Sequence, residues 1–283
     1  MFAIIGLVLM FVCIIYGFGA EGGNVSVLFQ PIEMLIIFGV AIGAFLISNT
    51  PAVISSVIKD FPKIFTAKSP DKKTFLELLL LLYQIFSKIK RDGPLSIEAE
   101  IEDPHKSELF KKYKSIVANH HLMTFLCDNL KVIVGGNIPA HELDNLMDIE
   151  IEAIHHEELE AAHGIYRVAD GMPGLGLVAA VLGVVLTCGK LDQPPTVIGE
   201  GVAVALLGTF IGILCCYGIF GPMSVNLENQ AFENGNFFLM CKVALVAFVG
   251  GTPPATAIEF ARRVVPGYAK PSFIELETAR KKG

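Results

Sequence analysis

The chain has 283 residues, 53% of them hydrophobic, and its mean hydropathy of +0.58 excludes an ordinary water-soluble domain of this length. A formal charge of −6 argues against nucleic acid as a partner. The six cysteines (Cys13, Cys127, Cys188, Cys215, Cys216, Cys241) show no CxxC spacing and read as small buried apolar residues, not as a disulfide framework or metal site.

In chain order, the first apolar run covers 2–20. It lacks a basic leader, and no A-x-A signal precedes Glu21, so a retained span is expected rather than a signal peptide. A short connector with Gly22-Gly23 leads to a second span beginning at Pro31 and reaching about residue 47. A third is expected over 172–188 and a fourth over 197–220, joined by a turn containing Pro194-Pro195. No lysine or arginine precedes Lys59, and only Lys190 lies between the third and fourth runs. The cations flanking spans two and three are Lys59, Lys63, Lys68 and Arg167, so that side is cytoplasmic and parity places both termini there. The expected fold class is an all-α membrane protein: four transmembrane helices in two hairpins, a large helical cytoplasmic insert and a cytoplasmic C-terminal helix. Its divisions fall at 1–50, 51–168, 169–222 and 223–283.

The insert reads as helical over 74–88, 107–119, 121–134 and 140–163, with an acidic stretch near 96–103 and a loop at 135–139. The apolar stretch 237–250 carries Lys242 and is too short to span comfortably, so a packed helix is expected. Gly251–Pro254 breaks it, and a final amphipathic piece contains residues 271–277.

Spans three and four carry small residues at helical spacing: Gly176, Ala180 and Gly183 on one, Gly201, Ala205 and Thr209 on the other, with Gly208 and Gly212 beside them. Such faces let helix backbones approach closely. Ordinary span packing accounts for them; a lined conduit or a socket for partner helices is the functional alternative. Thr209 is the one aliphatic hydroxyl deep in span four, and a bond to the carbonyl one turn back would make it structural. Pro173 and Pro222 mark either helix ends or kinks. Glu33 and Glu200 sit at the outer starts of spans two and four, where a helix amino terminus favours an anion, and neither is central enough to relay protons. Ion transport by spans this apolar needs a partner to supply the charged group. Glu152/His155 and Glu160/His163 have Glu-x-x-His spacing, but both pairs fall on one helix, so a solvated charged face is expected rather than a di-metal centre. The charges at Lys88, Lys90, Arg91 and Glu98 read as solvated unless an oppositely charged partner exists.

Several stretches together resemble the MotA family of flagellar motor stator subunits over nearly the whole chain. They include Gln30-Pro31-x-Glu33, Leu79-Leu80-Leu81-Leu82-Tyr83, Ile101-Glu102-Asp103-Pro104, Pro173-x-x-Gly176-x-Val178-Ala179-Ala180, Gly208-Thr209-Phe210-x-Gly212, Glu259-Phe260-x-Arg262 and Pro271-Ser272-Phe273-Ile274-Glu275-Leu276-Glu277. The resemblance implies a pentameric ring around a MotB-like B subunit that brings a membrane-embedded aspartate and a peptidoglycan anchor. It implies torque on the rotor protein FliG, residence in the bacterial inner membrane, no enzymatic activity and no cofactor. By position, Pro173, Ala180, Thr209 and Pro222 would serve ion passage and coupling, and Lys90, Arg91, Glu98 and Glu150 would face the rotor. Lys90 stands where the family has its arginine, which keeps the charge but loses the two-pronged guanidinium. Sodium-driven relatives carry threonine where this chain has Ala180, so protons are the expected coupling ion and sodium is disfavoured. An ExbB/TolQ-like energising subunit is the alternative; its three spans and different tail fit poorly with the 1–47 hairpin and residues 273–277.

Overall fold

The first apolar run folds as one helix, α1 (Phe2–Ala20), with no buried residue, as expected for a helix apolar all round. A 3₁₀ turn over Val25–Leu28, capped by Asn24, forms the connector. Pro31 then starts α2 (Pro31–Ser48), its fixed φ suiting a first helical position. A computed structural model describes residues 2–67, 69–136 and 138–282, and among the described residues there is helix but no strand. Lys68 at the membrane flank and Asn137 in the 135–139 loop lie outside the described residues.

Thr50 caps α3 (Pro51–Asp60), and α4 (Lys63–Thr66) follows. Helix α5 (Lys72–Asp92) begins at Asp71, whose carboxylate accepts the Thr74 N–H at 2.8 Å. It ends at Gly93, whose φ of +86° suits a residue without Cβ. Beyond Gly93 come a 3₁₀ turn over Pro94–Ile97 and the short α6 (Glu98–Glu102). The single helix expected over 107–119 is absent. The Ser107 hydroxyl accepts the Leu109 and Phe110 N–H groups as a helix cap would, but the helical turn it starts does not continue. Only a 3₁₀ turn, Phe110–Lys112, and the short α7 (Lys114–Val117) form there. Helix α8 (His120–Gly135) is capped by Asn119.

The third span is longer than the sequence reading: α9 (Ala140–Cys188) is one helix of 49 residues and takes in both the expected 140–163 helix and the span. After the turn come α10 (Pro195–Leu214), a π-helical segment over Cys215–Phe220, and α11 (Gly221–Val249). The expected helix at 237–250 is thus the end of α11. A closing turn follows in which Gly251, at φ +88°, donates to Phe248 O and Thr252 donates to Ala247 O. Helices α12 (Pro254–Val264) and α13 (Phe273–Lys282) complete the chain. Ser272 and Glu275 cap α13 reciprocally, each backbone N–H donating to the other's side chain. Among the described residues four helical stretches are long and apolar enough to cross a membrane, and the chain is an all-α membrane protein.

Packing divides the chain into two units, Met1–Ala67 with Glu157–Asn229, and Lys68–His156 with Gln230–Gly283. In the first, Ile37 and Ala41 of α2 pack with Met172, Ala179, Ile211, Cys215 and Cys216. Ile64, Ala161, Ile165, Met223 and Leu227 form a second cluster near the start of α1. In the second unit the core follows α5. Phe75 stacks on Phe237 at 4.5 Å, Phe86 on Phe248 at 4.4 Å, and Phe125 meets Phe238 edge-on at 5.2 Å. Each such pair contributes roughly 0.5–1.5 kcal/mol beyond its buried area.

Candidate functional site

Helices α9 and α10 run antiparallel at backbone contact. A Cβ added at Gly176 would lie 2.7 Å from Gly208 O and 3.0 Å from Gly212 Cα. One at Gly183 would lie 2.9 Å from the Ala205 Cβ, and Gly201 abuts Thr187. The contact face on α10 is therefore Gly201, Ala205, Gly208 and Gly212. Thr209, grouped with Gly201 and Ala205 from spacing, lies beside that face. The four-residue steps drift around an α-helix, so the three-residue step from Ala205 to Gly208 keeps the contact in line. Glu200 falls in the second turn of α10 because the helix begins at Pro195, and it is exposed.

Ala180 is only 8% exposed and packs toward Gly208, whose absent Cβ would sit 3.2 Å from the Ala180 nitrogen. Thr209 follows Gly208 at the same level and is half-buried. Thr187 shows the bond expected of a membrane threonine, donating to Gly183 O at 2.8 Å. Thr209 makes no such bond among the described residues, so its hydroxyl is left for something else. No Asp, Glu, Lys, Arg or His occurs over 171–189 except at its margins, Asp170 and Lys190, nor over 201–227.

Neither proline ends a helix. Pro173 lies inside α9 and is half-buried; lacking an N–H, it leaves the Ala169 carbonyl without its usual donor. Met172 beside it packs with Cys215 and Cys216, so Pro173 is level with the start of the π-helical segment. Pro222 follows that segment directly. The Gly221 N–H donates to Cys216 O, five residues back, and a Cβ on Gly221 would lie 2.7 Å from that oxygen. Pro222 opens onto a cavity of about 340 Å³ shared with Leu7, Gly218 and Asn226. Such π segments occur often at functional positions. The sequence offers no period by which to foresee one; Gly221-Pro222 is the only hint.

The charged candidates lie in the other unit. Lys90 is exposed and unpaired among the described residues, whereas Arg91 is held in two bonds to Asp92 at 2.9 and 2.8 Å. Glu98 is exposed and unpaired among the described residues at the start of α6. Lys88 pairs instead with Glu100, both largely buried. Glu150 differs from these: it is half-buried and accepts a 2.7 Å bond from Asn129 Nδ2.

Two ion-pair groups escaped the sequence reading. Lys242, 12% exposed, lies 2.9 Å from Asp144 and 2.6 Å from Asp148. The signal was the four-residue spacing of the two aspartates on α9. Glu259 binds Arg262 through both oxygens at 2.7 and 2.6 Å, and Arg262 also donates to Pro271 O at 2.9 Å. The Arg262 bonds, opposed by partial burial, hold the Glu259 carboxyl below the usual carboxylate range. Burial pushes the Cys127 thiol up to about 11, so it stays protonated and inert. His155 lies against the Phe232 ring at 4.9 Å, and no grouping of three or more His, Cys, Asp or Glu suited to a metal occurs among the described residues.

Residues 4–93 match the profile "Motility protein A N-terminal", and residues 117–234 match "MotA/TolQ/ExbB proton channel family". The chain is 35% identical over 277 residues to "Motility protein A" of Salmonella typhimurium, covering 98% of this chain and 94% of that one. Its fold matches a chain of C. jejuni MotAB with a TM-score of 0.78 at 22% identity, covering 94% and 95% of the two chains. A chain of the flagellar MotAB stator complex from Bacillus subtilis matches with a TM-score of 0.75, also at 22% identity, covering 98% of each.

Proposed function

The chain belongs to the motility protein A family, and from that premise we propose that it works with a MotB-like B subunit to conduct protons and convert their flow into torque on the flagellar rotor. The observation that carries this reading is the wall formed by α9 and α10. It has a free Thr209 hydroxyl at the level of Ala180 and no Asp, Glu, Lys, Arg or His over 171–189 or 201–227. A wall of this kind cannot relay protons by itself, so the carboxylate comes from the partner, as an aspartate in a membrane span anchored to peptidoglycan. Several copies of the chain, five in a ring, would enclose two such partner helices. The inner membrane, with both termini cytoplasmic, is the location that agrees with the cations at Lys59, Lys63 and Arg167.

Protons are the proposed coupling ion because dehydrated sodium needs oxygen ligands and the Ala180 side chain offers none. Each charge that crosses gains about 2.3 kcal/mol per 100 mV, so the membrane potential alone supplies the work. Pro173 and Pro222 would carry the coupling, and Lys90, Arg91, Glu98 and Glu150 would face the rotor protein FliG.

Co-purification with the B subunit followed by imaging tests the assembly: a ring with Thr209 and Ala180 facing two central helices is expected. Motors carrying this subunit should turn in sodium-free buffer, and a speed that scales with sodium concentration would overturn proton coupling. Charge reversal at Lys90, Arg91 and Glu98 should lower torque while the complex still assembles.

A further inference from the structure

An exposed apolar side chain lies between the charged candidates Lys90 and Glu98 in the chain. Leu95 is 70% exposed, although its neighbours Ile89, Ile97 and Ile101 are 6%, 1% and 2% exposed. It is not on a frayed segment. Gly93 turns the chain at φ +86°, Pro94 fixes the next residue, and the Ser96 hydroxyl and N–H both donate to Gly93 O, at 2.6 and 3.2 Å. Ile97 then anchors the far end in the core. The turn thus presents Leu95 on a rigid mount, three residues before Glu98 and five after Lys90, both exposed and unpaired among the described residues.

An exposed leucine alone is ordinary on a protein surface. Here the position is set by a turn whose other residues are committed to the core or to hydrogen bonds, and it is bracketed by unpaired charges of opposite sign. An apolar anchor inside a rim of charges is the arrangement that gives interfaces their binding energy, the charges contributing register and association rate.

We propose that Leu95 is the apolar anchor of the rotor-contact surface, resting on the torque-subunit reading above. Its occupant is the rotor protein, through a helix surface that offers an apolar socket between an acidic group facing Lys90 and a basic group facing Glu98. Leu95 holds the contact through the power stroke; Lys90 and Glu98 guide the approach.

The test measures torque per stator in single motors as stators are restored one at a time, with the complete complex in cells. Leu95→Asp and Leu95→Ser are compared with Leu95→Met, Lys90→Glu and Glu98→Lys, and co-purification with the B subunit reports assembly. The expected result is a several-fold loss of torque per stator for the Asp and Ser variants, with assembly retained, and most of the torque restored by Met. Raised ionic strength should weaken the motor with intact Leu95 less than the Leu95→Ser motor, because screening touches only the charges. Full torque in Leu95→Ser and Leu95→Asp, while the charge reversals lose theirs, would overturn the anchor and leave the torque-subunit reading standing. Full torque in every variant would overturn both.

Discussion

Glycine meets glycine between α9 and α10, whereas phenylalanine meets phenylalanine around α5. Gly176 and Gly212 bring two backbones into contact, and the largest fully buried side chain in the neighbouring cluster is Ile37. In the other unit Phe75, Phe86, Phe110 and Phe125 are all buried to within 1% of full. The difference follows from the solvent each region meets. Lipid tails are as apolar as the helices, so association there rests on close van der Waals contact and on small residues that permit it. Water rewards every square ångström of apolar area removed, so large aromatics give the most stabilisation per position.

The largest effect should come from Phe86→Ala. Its ring is fully buried and stacked on Phe248, and its loss should cost about 3–5 kcal/mol. Differential calorimetry on the purified protein should show the transition of the α5 unit fall, while a cysteine pair at 183 and 205 still cross-links. Equal loss of cross-linking would mean that the two regions do not rely on separate forces. Gly212→Val tests the other side. The added atoms would meet the Gly176 backbone, whose Cα is 2.8 Å from the Cβ position, at a cost of about 1–3 kcal/mol. Cross-linking at 183 and 205 should drop, with the calorimetric transition of the α5 unit unmoved.

Charge contributes less. Lys242→Ala would remove the shared partner of Asp144 and Asp148, but both carboxylates are exposed enough to regain water, so about 1 kcal/mol is expected. Lys242→Met, which keeps the packed stem, should recover part of it in urea titration. Smallest is a pH effect. The folded Glu259 carboxyl titrates below its ordinary value of 4.5, so its stabilisation is complete above that value and fades as pH falls through the folded pKa. Glu259→Gln should flatten this acid limb and leave stability at neutral pH slightly lower. An unchanged acid limb would show that the pair with Arg262 contributes nothing.

Much of this was legible in advance, for reasons that differ along the chain. The spans could be read because twenty apolar residues have few other fates, and the break at Gly251 because a glycine, lacking a Cβ, admits the positive φ found there. The 107–119 segment could not: its residue types suit a helix, yet only a 3₁₀ turn and the short α7 form, and spacing does not reveal the interruption. The length of α9 was also hidden, because a proline normally signals an end and only neighbouring structure tolerates Pro173 inside. On the site, residue positions were readable but pairing states were not. Lys90 and Arg91 look alike in sequence, yet one is free among the described residues and the other is bound to Asp92. Glu150 and Glu98 differ in the same way, since Asn129 holds the first.

The π-helical segment before Pro222 has one more effect, on phase. A turn closed by a five-residue bond contains one residue more than an α-turn, which advances every later side chain by roughly a quarter of a revolution relative to an unbroken helix. Faces drawn by a constant 3.6-residue period from Pro195 therefore point the wrong way beyond Phe220. A substitution scan through α10 and α11 should show two periodic patterns, each regular, with the beat between them falling at Cys215–Phe220.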